Sequence, residues 1–497
     1  MNISLFLQMA ADTDADRIAL VCDGRRWSYG ALYRAAQGAA RSIRDSNATH
    51  VALLDESSEA SAIALFGAAI AGVPYVPLNY RLADADLGAL LARIAPAYVI
   101  GNVERVGKLS TEVGHSAWSR ADFVREAEAH ADGPELDETD ETIAIQLFTS
   151  GTTAAPKAAL LRHSNLLSYI LGTVEFGSAP ENDAALVCVP PYHIAGIAAV
   201  LSSVYAMRRI LMLPAFDPEA WLALVAAERA TNAFVVPTML SRIVTAMDTK
   251  APGDIASLRA IAYGGGRMPA ELIDRALDLF PDTGFTNAYG LTETSSTVAL
   301  LGPEDHRAAH RTDDAEIRAR LSSVGRPLPT IELEIRDEDG KVLPAGERGE
   351  IYVRGDQVSG EYKERSALDA QGWFPTRDAG WIDADGYLFL AGRADDVIVR
   401  GGENISPGEV EDVLLTHAAI ADAAAVAVAS AEWGEAVGVA LACRPEHTRP
   451  DEAELRTLIR DRLRSSRVPE RIMFVDTLPY NEMGKLLRRE VRKLFEG

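Results

Sequence analysis

The run F-T-S-G-T-T-A-A-P-K-A, residues 148–158, decides how the rest of the chain is read. It gathers Thr149, Ser150, Thr152 and Thr153 around Gly151 and closes on Pro156 and Lys157. Hydroxyls and free backbone N–H groups on a loop that ends in a cation suit a polyphosphate. Residues 143–148, I-A-I-Q-L-F, read as a buried strand, so the loop leaves a strand's carboxyl end. It is not a Walker A loop: Pro156 precedes the lysine, and Ala158 follows where Ser or Thr would meet magnesium. A polar surface turn would use the same residues, and the loop alone leaves both readings open.

Upstream, strands at residues 51–54, 75–78 and 98–100 alternate with helices at 61–71 and 87–94. Downstream, strands at 186–189, 210–213, 233–236 and 258–263 alternate with helices ending at Tyr205, Glu228 and Phe280. That β-α-β rhythm predicts a large α/β domain of several layers with mostly parallel sheets. Residues 104–141, with an acidic run at 135–141, read as a connecting surface segment. From Ile331 short alternating segments predict a small antiparallel β-subdomain. Near Gly392 the composition changes, and a small α+β C-terminal domain is expected, with helices from Glu409 and over 452–463 and two or three strands. The predicted division is 1–392, a hinge at 393–397, and 398–497.

The chain has 497 residues, more than one ordinary core. Its formal charge of −23 argues against nucleic acid or an anionic membrane as general partners, so an anionic ligand needs a local basic or N–H-rich pocket. Cys22, Cys188 and Cys443 have no metal-ligand spacing and fit packing residues in a reducing cytosol. No basic region precedes the apolar patch near the N-terminus, and no apolar run is long enough for a bilayer. A cytoplasmic protein without a transmembrane segment is expected.

Residues 148–158 resemble the signature loop of the adenylate-forming superfamily: acyl- and aryl-CoA ligases, peptide-synthetase adenylation domains and firefly luciferases. Ala154 and Ala158 stand where that loop has glycines. The resemblance continues through the chain. Asn287, Ala288, Tyr289, Gly290, Thr292 and Glu293 match its Y-G-x-T-E region. By that resemblance Thr292 bonds an α-phosphate and Glu293 holds Mg²⁺, a hard ion that accepts few carboxylates beside phosphates. Gly264, Gly265 and Gly266 match the segment that packs against adenine. Asp378 matches the acid that accepts from ribose hydroxyls, with Arg377 in place of the usual glycine, and Arg393 matches a second ribose contact. Lys485 matches the catalytic lysine of the last motif, and Lys157 the cation of the phosphate loop. A lysine between a carboxylate and an α-phosphate offsets their repulsion.

The resemblance implies an acid–CoA ligase that uses ATP, Mg²⁺ and coenzyme A. It makes an acyl-adenylate with release of pyrophosphate, then a thioester with release of AMP. No acid stands at residues 192–196, where the related peptide-synthetase domains place one to hold an amino acid's ammonium, and the pattern is most similar to aryl- and fatty-acyl-CoA ligases. His193 and Thr238 would border the acyl pocket; Gly401, Gly402, Trp433 and Arg467 would serve CoA, with Ser466 where an aromatic often stands. Asp395 is the expected pivot of a mobile C-terminal domain. The alternative acceptor is the phosphopantetheine arm of an acyl carrier protein. A non-catalytic nucleotide-binding scaffold would lack Lys485 or Glu293, and both are present.

Overall fold

The computed structural model describes residues 1–109, 115–130, 142–149, 156–249, 254–393, 396–401, 403–430, 432–481 and 486–496. The helix Glu59–Ala71, E-A-S-A-I-A-L-F-G-A-A-I-A, is buried on nearly every side. A helix apolar all round has to lie inside. Its small residues let it approach the helix Tyr29–Asp45 closely: a Cβ on Gly67 would stand 2.9 Å from the Ala39 Cβ. Gly72, at φ +78°, ends it in a left-handed turn. This helix touches strands of two different sheets, and one apolar cluster joins Leu20 and Ile210 of the first sheet to Val51, Tyr98 and Ile145 of the second.

In the first, nine-stranded sheet, six parallel strands lie side by side: Gly284–Leu291, Ala260–Gly264, Asn232–Val235, Ala184–Val187, Arg209–Met212 and Ile18–Cys22. Antiparallel strands cap both edges. From Ala184–Val187 the chain goes first to Arg209–Met212 on one side and then to Asn232–Val235 on the other. Strand order therefore reverses beside Ala184–Val187, and such reversals open a crevice at the strands' carboxyl ends.

The second sheet has seven strands, five of them parallel. Its edge is an antiparallel hairpin of Ile143–Thr149 and Lys157–Arg162, flanked by Glu361–Tyr362. The loop read as a phosphate site thus joins two strands, where the sequence had marked only the first. A four-stranded antiparallel sheet, Glu332–Arg336, Gly349–Arg354, Phe374–Ile382 and Leu388–Arg393, forms the expected β-subdomain. Sheet membership changes between Arg393 and Ile398, where a five-stranded sheet begins with the helices Pro407–Leu415 and Glu452–Arg462 packed on it.

Two expectations are corrected. The stretch from residue 104 is not mere surface connection: the strand Ser116–Trp118 extends the second sheet, and the helix Arg120–Ala129 buries Phe123, Val124 and Ala127. The acidic run at 135–141 lies outside the described residues. The C-terminal part holds five strands, not two or three, because the alanine-rich runs Ile420–Ser430 and Gly434–Cys443 pair over their whole length. Alanine has weak strand preference, and burial on both faces overrides it. Among the described residues no helix is long and apolar enough to cross a membrane.

Candidate active site

Four adjacent parallel strands end on one edge of the first sheet, and each delivers a marked residue there. The turn after Ala184–Val187 leads to His193, which starts the helix Ile194–Tyr205. Asn232–Val235 leads to Thr238 in the helix Pro237–Thr249. Ala260–Gly264 runs into Gly265 and Gly266, and Gly284–Leu291 carries Asn287, Ala288, Tyr289 and Gly290 within the strand itself. His193 and Thr238 therefore flank the crevice where strand order reverses. A Cβ on Gly264 would lie 2.3 Å from the Ala288 carbonyl oxygen, and one on Gly290 would lie 1.7 Å from that of Ser296. Both glycines are required by close backbone approach.

His193 is largely buried, and burial lowers its pKa to about 4, so the ring is neutral. Among the described residues its Nε2 has no hydrogen-bond partner, and its ring lies 4.6 Å from that of Tyr192. Cys188 and Met239 belong to the buried apolar cluster of the first sheet, with sulfurs 4.0 Å apart. Burial pushes the Cys22 and Cys188 thiols up to about 12, as packing residues require. The Asn287 side chain donates to the Ser323 carbonyl at 3.0 Å and is buried there.

One acid follows a strand's end and the other lies within a strand. Glu293, in a single 3₁₀ turn after Gly284–Leu291, is 8% exposed. Its Oε1 accepts from the Tyr362 hydroxyl at 2.6 Å, and the Lys157 Nζ lies 5.7 Å from the centre of the Tyr362 ring. Tyr362 joins the phosphate hairpin to the Glu293 turn. No spacing in the sequence singles it out, and sequence reasoning missed it. Asp378 accepts from the Tyr289 hydroxyl at 2.7 Å and pairs with Arg393 at 3.2 Å. The two are register partners on neighbouring strands, so the expected ribose contacts meet. Burial and the Asp378 charge hold the Tyr289 phenol well above its usual range, which keeps it a donor. Arg377, where the superfamily loop has glycine, sits at φ +61°.

A single buried carboxylate fits Mg²⁺ bound mainly by phosphate and water. Among the described residues no cluster of three His, Cys, Asp or Glu could hold a metal, and no side chain bonds the Glu293 Oε2. Thr149 donates to the Lys157 carbonyl at 3.5 Å across the hairpin base. Ser150, Gly151, Thr152, Thr153, Asp395, Gly402 and Lys485 lie outside the described residues.

On the C-terminal side Gly401, at φ +58°, packs so closely on Trp433 that a Cβ would stand 2.8 Å from its ring. Arg467 is nearly buried, donating to Glu409 at 3.0 Å and pairing with Glu403. Its guanidinium is occupied by acids of its own domain.

The AMP-binding enzyme family matches residues 7–363, and the AMP-binding enzyme C-terminal domain matches 409–485. The chain belongs to the AMP-binding enzyme family. It is 32% identical to a feruloyl-CoA synthase of Amycolatopsis sp, over 95% of this chain and 94% of the relative. It is 33% identical to a 2-succinylbenzoate–CoA ligase of Geobacillus kaustophilus, over 98% and 97%. The o-succinylbenzoate CoA synthetase from Bacillus subtilis, solved with its acyl-adenylate intermediate, superposes with a TM-score of 0.84 at 26% identity, covering 98% of this chain and 97% of that one.

Proposed function

We propose that this AMP-forming acid–CoA ligase activates a hydrophobic, aromatic carboxylic acid with ATP and Mg²⁺ and passes the acyl group to the thiol of coenzyme A. One observation carries the reading: Tyr362 brings Lys157 of the phosphate hairpin and Glu293 of the Y-G-x-T-E region into one cluster. The aromatic acids named for the feruloyl-CoA synthase and the 2-succinylbenzoate–CoA ligase, with the crevice bordered by His193, Tyr192 and Thr238, favour an aryl group, although another relative, of Streptomyces coeruleorubidus, is a fatty acid–(acyl-carrier-protein) ligase.

In the first half-reaction the substrate carboxylate oxygen attacks the α-phosphorus of ATP, and pyrophosphate leaves. Lys157 and the hydroxyls of residues 149–153 hold the phosphate tail by charge and hydrogen bonds. Thr292 donates to the α-phosphate. Asp378, oriented by Tyr289 and Arg393, accepts from the ribose hydroxyls. Lys485 lies between the two anions and stabilises the charge of the transition state. Glu293 would hold Mg²⁺, which would supply charge neutralisation on the phosphates.

In the second, the CoA sulfur attacks the acyl carbonyl carbon, AMP leaves and the thiol proton goes to solvent. Gly401, Gly402 and Trp433 border the pantetheine path, and Arg467 acts by fixing the segment through Glu403 and Glu409. Asp395 is the pivot between the two orientations these steps need. The test is pyrophosphate release across aromatic and aliphatic acids, with CoA, with a phosphopantetheinylated carrier protein, or with neither. Aryl acids with CoA should give the highest kcat/KM. Turnover on the carrier alone would overturn the choice of acceptor, and preference for a long-chain acid the choice of substrate.

A further inference from the structure

Glu293 is gripped from two sides by one short segment. The N–H groups of Ser359 and Gly360 donate to its backbone carbonyl at 2.9 and 3.2 Å, and the Ser359 hydroxyl adds a third contact at 3.3 Å. The Tyr362 hydroxyl, a few residues on, donates to the carboxylate Oε1 at 2.6 Å. The segment is itself anchored. Tyr362 pairs with Ala159 in the antiparallel edge of the second sheet, and the Lys363 N–H donates to the Ala158 carbonyl at 3.0 Å. Arg162 forms a two-point bridge to Glu361, with both contacts at 2.9 Å. The strand that carries Lys157 thus holds the strand that carries Tyr362, and Tyr362 holds Glu293.

We propose that Tyr362 is a positioning residue for both the metal acid and the phosphate lysine. Its hydroxyl fixes the Glu293 carboxylate through Oε1 and leaves Oε2 for the ion. Its ring faces the Lys157 ammonium, 5.7 Å from Nζ to the ring centre, and so sets the lysine on the same side chain that holds the metal acid. This rests on the reading of Glu293 as the metal ligand. A carboxylate with one oxygen tied down has lost most of its rotational freedom before the ion arrives, so less is lost on binding. The hydroxyl touches Glu293 rather than substrate and acts through it.

The test is a Mn²⁺ titration of ATP-loaded enzyme, with free Mn²⁺ read by electron paramagnetic resonance, on wild type, Tyr362→Phe, Glu293→Gln and the double variant. Tyr362→Phe keeps the ring and removes the donor. Its half-saturating Mn²⁺ should rise roughly tenfold, the usual loss for a partner of a metal ligand, and its adenylation rate should recover at saturating metal. In the Glu293→Gln background the same change should add little, because the two act through one carboxylate. Tyr362→Phe within twofold of wild type, with Glu293→Gln clearly weakened, overturns the role of Tyr362 alone. An equal effect of Tyr362→Phe in both backgrounds, or in melting temperature rather than metal affinity, makes the tyrosine merely structural and also overturns it. An unchanged midpoint in Glu293→Gln removes Glu293 from the metal, a failure of the underlying reading visible in that arm by itself.

Discussion

Arg267, in the glycine-rich turn of the large domain, donates from Nη1 to the carbonyl oxygen of Gly408 on the small domain at 3.0 Å. The same guanidinium pairs with Asp412 one turn along the helix Pro407–Leu415. Nearby, the Ser406 hydroxyl donates to the Ala391 carbonyl at 2.5 Å. The docked helix end follows directly on the hairpin of Ile398–Arg400 and Glu403–Ile405, beside Gly401.

On the proposal that the small domain takes two orientations about Asp395, this contact holds the orientation seen here, taken as the one for thioester formation. Removing a hydrogen bond of about 1 kcal/mol shifts such a balance roughly fivefold. Arg267→Ala should therefore lower thioester formation from supplied acyl-adenylate by about that factor and leave pyrophosphate release within about twofold. Both half-reactions are measured separately by rapid quench. An equal fall in both would assign Arg267 to the nucleotide site instead.

Lys485→Ala should lower acyl-adenylate formation by roughly 10²–10³, the loss of one well-placed charge-stabilising donor. Thioester formation from isolated acyl-adenylate should change far less. Parallel losses in the two assays would rule out a role confined to the first step.

Arg377 stands at φ +61° and is mostly exposed, with Glu350 at 3.8 Å. A left-handed conformation costs a residue with Cβ about 1 kcal/mol or more relative to glycine, and an exposed ion pair returns little. Part of the gain is lost to the freer unfolded chain of the glycine variant. Arg377→Gly should raise stability by about 0.5–1 kcal/mol in urea unfolding, whereas Arg377→Val should lower it.

His193 carries a pH signature of stability. Its folded pKa is lowered from 6.5 to about 4 by burial. Between those values the unfolded chain binds a proton that the folded protein refuses, so unfolding is favoured as pH falls. The contribution is intact above pH 6.5 and lost progressively towards pH 4, on the order of 3 kcal/mol in total. His193→Phe should therefore lose less stability than wild type between pH 7 and 4.5 in denaturant titrations, the carboxylates cancelling in the difference. Identical pH slopes in the two proteins would mean that His193 is hydrated.

Much of the molecule was legible in the chain because its signals are local. The alternation of apolar runs with periodic helices marked most of the parallel strands of both sheets, since each element must present its own buried face; it passed over Ile18–Cys22 and Ser116–Trp118. The motifs at 148–158, 264–266, 287–293 and 378 are recognisable from their own residue types, and the chemistry proposed for them rests on those types. Tertiary structure decided what depends on distance. That two sheets share the helix Glu59–Ala71 follows from packing on both of its sides, which periodicity cannot divide between partners. The alanine strands Ile420–Ser430 and Gly434–Cys443 exist because each is the other's neighbour. Arg467, expected from the sequence to serve CoA, is committed to Glu403 and Glu409 by folding. Tyr362 carries no motif at all; its task arises only when the edge of one sheet is brought against the strand end of another, and no single stretch of sequence encodes that meeting.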